Sequence, residues 1–185
     1  MGSHEETSAR AIPAVVLIHQ EGVIGIIALV GLSLRSEGIL GGLAPRGSVA
    51  TGILAGLGVG VACAVGLWVV RNLPALADLE QWQRQMVRNW SATDAVAVAL
   101  FSGLAEEALI RALLQPIIGL VPAALLFAAL HLVPDRRLWL WPVLACALGV
   151  VLGMIFEFWG YPAAAAAHIA INAVALLRLQ QTAEN

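Results

Sequence analysis

Lysine is absent from this chain, and charge of either sign is scarce. Charged residues make up 12% of its 185 positions, against about 25% in an ordinary soluble domain. That leaves too little polar surface to coat a water-soluble globule. No basic cluster is present, so nothing points to a nucleic-acid partner. Cysteine is limited to Cys63 and Cys146. Both lie in apolar runs and read as small packing residues rather than a disulfide. The polar stretch 1–10 lacks the basic start and cleavage site of a signal peptide. What fills the chain instead is hydrocarbon: 60% of residues are hydrophobic, and the mean hydropathy is +0.87. Lipid is the solvent that suits this excess, which makes the chain an integral membrane protein.

A membrane helix needs about 20 mostly apolar residues. The first such run is Ile12 to Leu34, notched by His19, Gln20 and Glu21. The second, Val49 to Val70, carries Gly52, Gly56 and Gly60 at four-residue spacing, a small-residue face suited to close helix packing. Between Arg71 and Trp90, apolar and charged residues alternate at helical spacing. This segment reads as an amphipathic interfacial helix, with Trp82 and Trp90 near headgroup depth. Ser91 or Thr93 should cap the third span, Asp94 to Gln115. A fourth, shorter span covers Val121 to Val133, a fifth Leu138 to Phe156 and a sixth Ala163 to Leu179. The expected fold is all-α: a polytopic membrane bundle of about six transmembrane helices plus one interfacial helix. It forms a single domain over 11–180, between a polar tail at 1–10 and a short tail at 181–185.

Orientation is left to arginine. Arg10, Arg71, Arg84, Arg88, Arg136, Arg137 and Arg178 fall on one side of such a bundle, and only Arg35 and Arg46 on the other. The positive-inside bias then places both termini in the cytoplasm.

Several polar side chains are out of place in lipid. An ionised group at mid-bilayer costs at least about 2.5–3.5 kcal/mol. Glu106 lies twelve residues past Asp94, about 18 Å along a helix, near the middle of a roughly 30 Å hydrocarbon core. His168 reaches a similar depth. Glu107 and Arg111 are four apart and can pair on one face, which neutralises both. Glu106 points about 100° away and has no partner on its own helix, so it is the carboxylate left free for proton transfer. Phe127 and His131 share a face, as do His168 and Asn172. One unpaired glutamate, two histidines and an asparagine in three spans are more than helix packing requires. By contrast His19 and Glu21, near a span end, read as interfacial, and so does Glu157 within an aromatic belt.

Three motifs occur in order: Glu106-Glu107-Ala108-Leu109-Ile110-Arg111, Phe127-Ala128-Ala129-Leu130-His131 and His168-Ile169-Ala170-Ile171-Asn172. In these the chain resembles the CPBP family, the CAAX-protease and bacteriocin-processing intramembrane proteases, over a catalytic core of about 91–179. The resemblance implies hydrolysis of a peptide bond inside the membrane. It makes Glu106 the general base that activates water, assisted by His131, and gives His168 and Asn172 the oxyanion. Glu107, Arg111 and Phe127 would support the site. The implied partners are membrane lipid and a peptide or protein with a membrane-associated segment. Substrates in the family range over prenylated C-terminal peptides, leader peptides and membrane sorting tails, and no residue here selects among them.

No cofactor is expected, although Glu106, His131 and His168 could also form a His₂Glu zinc site with a water in the fourth position. The chain has no His-Glu-x-x-His helix, whose spacing would itself argue for zinc. Two other functions fit intramembrane Glu, His and Arg: a proton or solute pathway, and a bacteriocin-immunity protein that binds a peptide without cutting it. The expected location is a prokaryotic plasma membrane.

Overall fold

The computed structural model describes residues 11–183. The tail expected at 1–10, with Arg10, lies outside the described residues, as do 184–185. The described chain is helical throughout, apart from loops and an isolated bridge between Pro45 and Gly160. Four helices are long and apolar enough to cross a membrane: Ala14–Ser33, Val49–Val70, Arg136–Trp159 and Tyr161–Gln181.

In chain order the helices are α1 (Ala14–Ser33), α2 (Gly38–Gly42), α3 (Val49–Val70), α4 (Pro74–Val87) and α5 (Ala92–Glu107). A π-helical turn, Ala108–Leu114, joins α5 to α6 (Gln115–Ile118); α7 (Leu120–Leu130), α8 (Leu140–Trp159) and α9 (Tyr161–Ala183) follow. The expected third span is therefore one unbroken helical run from 92 to 118. It is long enough to cross, but it carries Glu106, Glu107 and Arg111. The expected fourth span is α7, whose 11 residues rise only about 16 Å, about half of a hydrocarbon core. At the C-terminal side α9 continues to Ala183.

Local chemistry explains the boundaries. Ser91 and Asp94 form a reciprocal capping box at the start of α5, with Asp94 N–H donating to Ser91 Oγ (3.1 Å) and Ser91 N–H to Asp94 Oδ2 (2.9 Å). Pro116 has no N–H to offer the carbonyl one turn back, and the helix widens into the π turn just before it. Arg35 donates from its guanidinium to the Leu113 carbonyl of that turn (3.0 Å). Gly119, at φ 85°, ends the run and starts α7.

The bundle is packed by small residues. Gly52, Gly56 and Gly60 are the buried face of α3, and a methyl group at Gly56 or Gly60 would collide with the backbone of Ala163 or Ala167 on α9. The alanine-rich start of α9 is thus a close-packed wall: Ala163, Ala164, Ala165 and Ala167 are all buried. Gly103 brings α5 equally close to α9 at Ile169. Large apolar side chains such as Val23, Ile26, Ile27 and Val30 on α1 point outward and exposed, as lipid-facing residues should.

Ends of the bundle are tied differently. At one end Arg46 binds the α8–α9 turn, donating its backbone N–H to Trp159 O (3.0 Å) and its guanidinium to Glu157 O (2.7 Å). At the other, Trp90 donates its indole N–H to Ile12 O (2.7 Å). There Glu80 of α4 accepts from Arg84 (2.7 Å) and from Arg178 of α9 (2.8 Å). The amphipathic α4 is therefore clamped beneath the bundle, with Leu79, Met86 and Val87 buried.

Candidate active site

The close approach of α5 to α9 at Gly103 sets the site. Beside it, two polar pairs cross between the helices. Asn172 Nδ2 donates to Ser102 Oγ (2.9 Å). His168 Nδ1 donates to Glu107 Oε1 (2.9 Å), and Glu107 Oε2 accepts from Arg111 Nε (3.1 Å). Glu107 and Arg111 have no exposed surface at all. They are the buried pair that the four-residue spacing predicts, but Glu107 also holds the imidazole of His168. With Nδ1 engaged, the free Nε2 of His168 is the nitrogen available to a substrate. The Arg111 guanidinium also lies over the Phe127 ring, 5.1 Å from its centroid.

Phe127 organises both histidines. Its ring meets His168 edge-on at 5.7 Å and stacks at a tilt on His131 at 4.7 Å. Its carbonyl accepts from His131 Nδ1 (2.8 Å), which leaves Nε2 of His131 with its lone pair. His131 itself sits at the C-terminal cap of α7, with the Trp141 ring 6.1 Å away.

These side chains open onto one cavity of about 250 Å³, lined by Glu106, His131, His168 and Asn172 together with Phe127 and Ser102. Four residues expected from sequence to act together, spread over α5, α7 and α9, thus share one space. The rest of its wall is apolar apart from Glu21 and Gln83, and α4 contributes Leu79, Gln83 and Met86. Among the described residues no three His, Cys, Asp or Glu side chains are placed to hold a metal ion. Glu106, His131 and His168, the set considered for zinc, line the cavity without forming a ligand cage.

One expectation is overturned. Glu21 is not interfacial: it is 6% exposed and lines the same cavity. His19 is on the surface, as expected, with Nδ1 bonded to Val15 O (2.7 Å). The two are only two residues apart, but that is about 200° of helix, so they point in opposite directions. Glu21 instead shares the buried face of α1 with Ala14, Ala28 and Leu32. Its spacing of seven from Ala14 and from Ala28 was the signal available in the sequence. Ser102 was also missed; it stands four residues before Glu106, one helical turn away on nearly the same face. Glu157 is exposed near Trp159, as expected, and accepts from the buried Gln115 (3.2 Å).

Residues 88–174 match the family model of type II CAAX prenyl endopeptidase Rce1-like proteins. The matched stretch contains all three motifs and the elements from α5 to most of α9; α1 and α3 lie outside it. No curated protein and no solved structure matches the chain.

Proposed function

We propose, from the premise that this chain belongs through residues 88–174 to the CAAX-protease family, that it hydrolyses peptide bonds by a glutamate-activated water. One observation carries the reading: Glu106, His131, His168 and Asn172 converge from three separate helices on a single cavity.

In this mechanism water enters between Glu106 and His131. Glu106 takes a proton as the oxygen attacks the carbonyl carbon, with the free Nε2 of His131 accepting a hydrogen bond from the same water. Charge develops on the carbonyl oxygen, where Asn172 and a protonated His168 donate. His168 can carry that charge because Glu107 faces its other nitrogen. Preorganised donors of this type are worth about 2.7–4 kcal/mol each in the transition state. The C–N bond then breaks as Glu106 returns its proton to the leaving nitrogen. Glu106 thus ends the cycle ionised, as it began it. The substrate is a peptide or protein with a membrane-associated segment. The arginine distribution supports an orientation with both termini in the cytoplasm.

The test compares peptides released from membranes holding the wild-type protein with those from membranes holding Glu106→Ala. Fragments present with the wild type and missing with the variant are expected, and chelator should leave their yield unchanged. Identical peptides from both would end the glutamate reading. Loss of cleavage on chelation, restored by zinc, would replace it with a metal mechanism.

A further inference from the structure

Glu21 is unexplained by the three family motifs, and α1 lies outside the stretch that matches the family. Burying a carboxylate in a membrane helix is costly, so its position needs a partner. The buried face of α1 packs on α5, where Gly25 faces Ala105, the residue preceding Glu106. Both Glu21 and Glu106 line the catalytic cavity. Each presents a buried oxygen, Oε2, that no donor among the described residues satisfies. Glu21 and Glu106 therefore face one space, with His168 on its wall. Two carboxylates are acceptors only and cannot bond to one another, and like charges this close in a low-dielectric site cannot both persist. A single proton between them answers both problems. It supplies the missing donor and halves the charge.

We propose that Glu21 is a positioning residue that shares one proton with Glu106, so that the catalytic base works as half of a carboxyl–carboxylate pair. The inference rests on the endopeptidase reading above. In the resting state Glu21 holds the proton and donates to Glu106, which stays ionised and fixed in orientation. When water attacks the peptide carbonyl, Glu106 takes one proton from it; Glu21 keeps its own. When the C–N bond breaks, the proton on Glu106 passes to the leaving nitrogen and the pair returns to one proton. Glu21 never touches the substrate. It holds Glu106 in place and keeps the pair at one negative charge.

The experiment has two arms on the full chain in lipid. In the first, infrared difference spectra compare wild type with Glu21→Gln and with Glu106→Gln at neutral pH. A protonated buried-carboxyl band is expected in the wild type, lost in Glu21→Gln and shifted or lost in Glu106→Gln. A wild-type spectrum with no such band, or a band indifferent to both variants, overturns the shared proton. The second arm uses the substrate found by the peptide comparison. Glu21→Leu should lower kcat by about tenfold or more with KM little changed, and Glu21→Gln, whose amide N–H can donate to Glu106 as the protonated carboxyl does, should recover part of the loss. Wild-type kcat in Glu21→Leu overturns the positioning role. If the infrared band behaves as expected while the wild type cleaves nothing, the proton-sharing pair stands and the endopeptidase reading is what fails.

Discussion

Two guanidinium nitrogens of Arg111 find no acceptor among the described residues, although the side chain is wholly buried. Its compensation comes from Glu107 on one side and the face of Phe127 on the other. Breaking such a pair from one side leaves a bare charge and costs about 3–5 kcal/mol, whereas removing both charges is far milder. Arg111→Met should therefore lower the melting temperature sharply in detergent or fail to accumulate. The double variant Glu107→Gln/Arg111→Met should recover much of that stability and remain inactive, because His168 loses its carboxylate. A double variant as unstable as the single one would show that the pair is not the reason for the loss. The Glu107–Arg111 bond was legible from spacing alone, since i, i+4 residues on a helix must meet. Its third member was not, because His168 lies 61 positions away and no local rule predicts which nitrogen it turns toward which glutamate. Glu21 was hidden for a different reason. In the linear sequence it sits in a polar cluster with His19 and Gln20, and only the rotation of the helix separates the inward residue from the outward ones.

Close packing decides what happens at the level of the helix. The glycine face of α3 has no room for a side chain at Gly56, where the backbone of Ala163 is already in contact. Gly58 on the same helix meets nothing within 4 Å. Gly56→Leu should push α3 from α9, cost about 1–3 kcal/mol or more and reduce the yield of folded protein. Gly58→Ala should be neutral. Thermal unfolding of both in one detergent checks the contrast, and equal stability of the two would sink it. The run of glycines at four-residue spacing announced this face in advance. What the sequence could not convey is the π turn at Ala108–Leu114, which follows Glu107, contains Arg111 and ends just before Gln115 and Pro116. Hydropathy reads only how apolar a run is, not the register of its hydrogen bonds, so the third span looked like an ordinary helix. The length of α7 was similarly overestimated. Leu132 and Val133 are apolar enough to continue it, but the chain turns at His131 and runs into Pro134.

For the whole molecule, the ties at the two ends sort the loops into two groups. Arg35, Arg46 and Gly160 belong to one end; Ile12, Trp90, Trp141 and Arg178 belong to the other. That grouping is the alternation expected if the run 92–118 crosses and α7 returns the chain. If both termini face the cytoplasm, as proposed, Arg88 should face the cytoplasm and Arg46 the outside. In a variant lacking Cys63 and Cys146, a cysteine replacing Arg46 should react with an impermeant thiol reagent on intact cells. One replacing Arg88 should react only after lysis, and the reverse pattern would invert the orientation. The cavity belongs to the end that carries α4, and there the abbreviated α7 has a physical consequence. A bilayer cannot leave hydrocarbon facing a polar loop, so a hydrophobic segment shorter than its surroundings draws the nearby leaflet inward. Acyl chains beside α7 must bend to meet headgroups that sit lower than elsewhere around the protein. Such a dip would bring the aqueous phase toward His131, at the end of that helix. For a hydrolase in oil the scarce reactant is water, and a dip in the membrane at α7 would be one place to supply it.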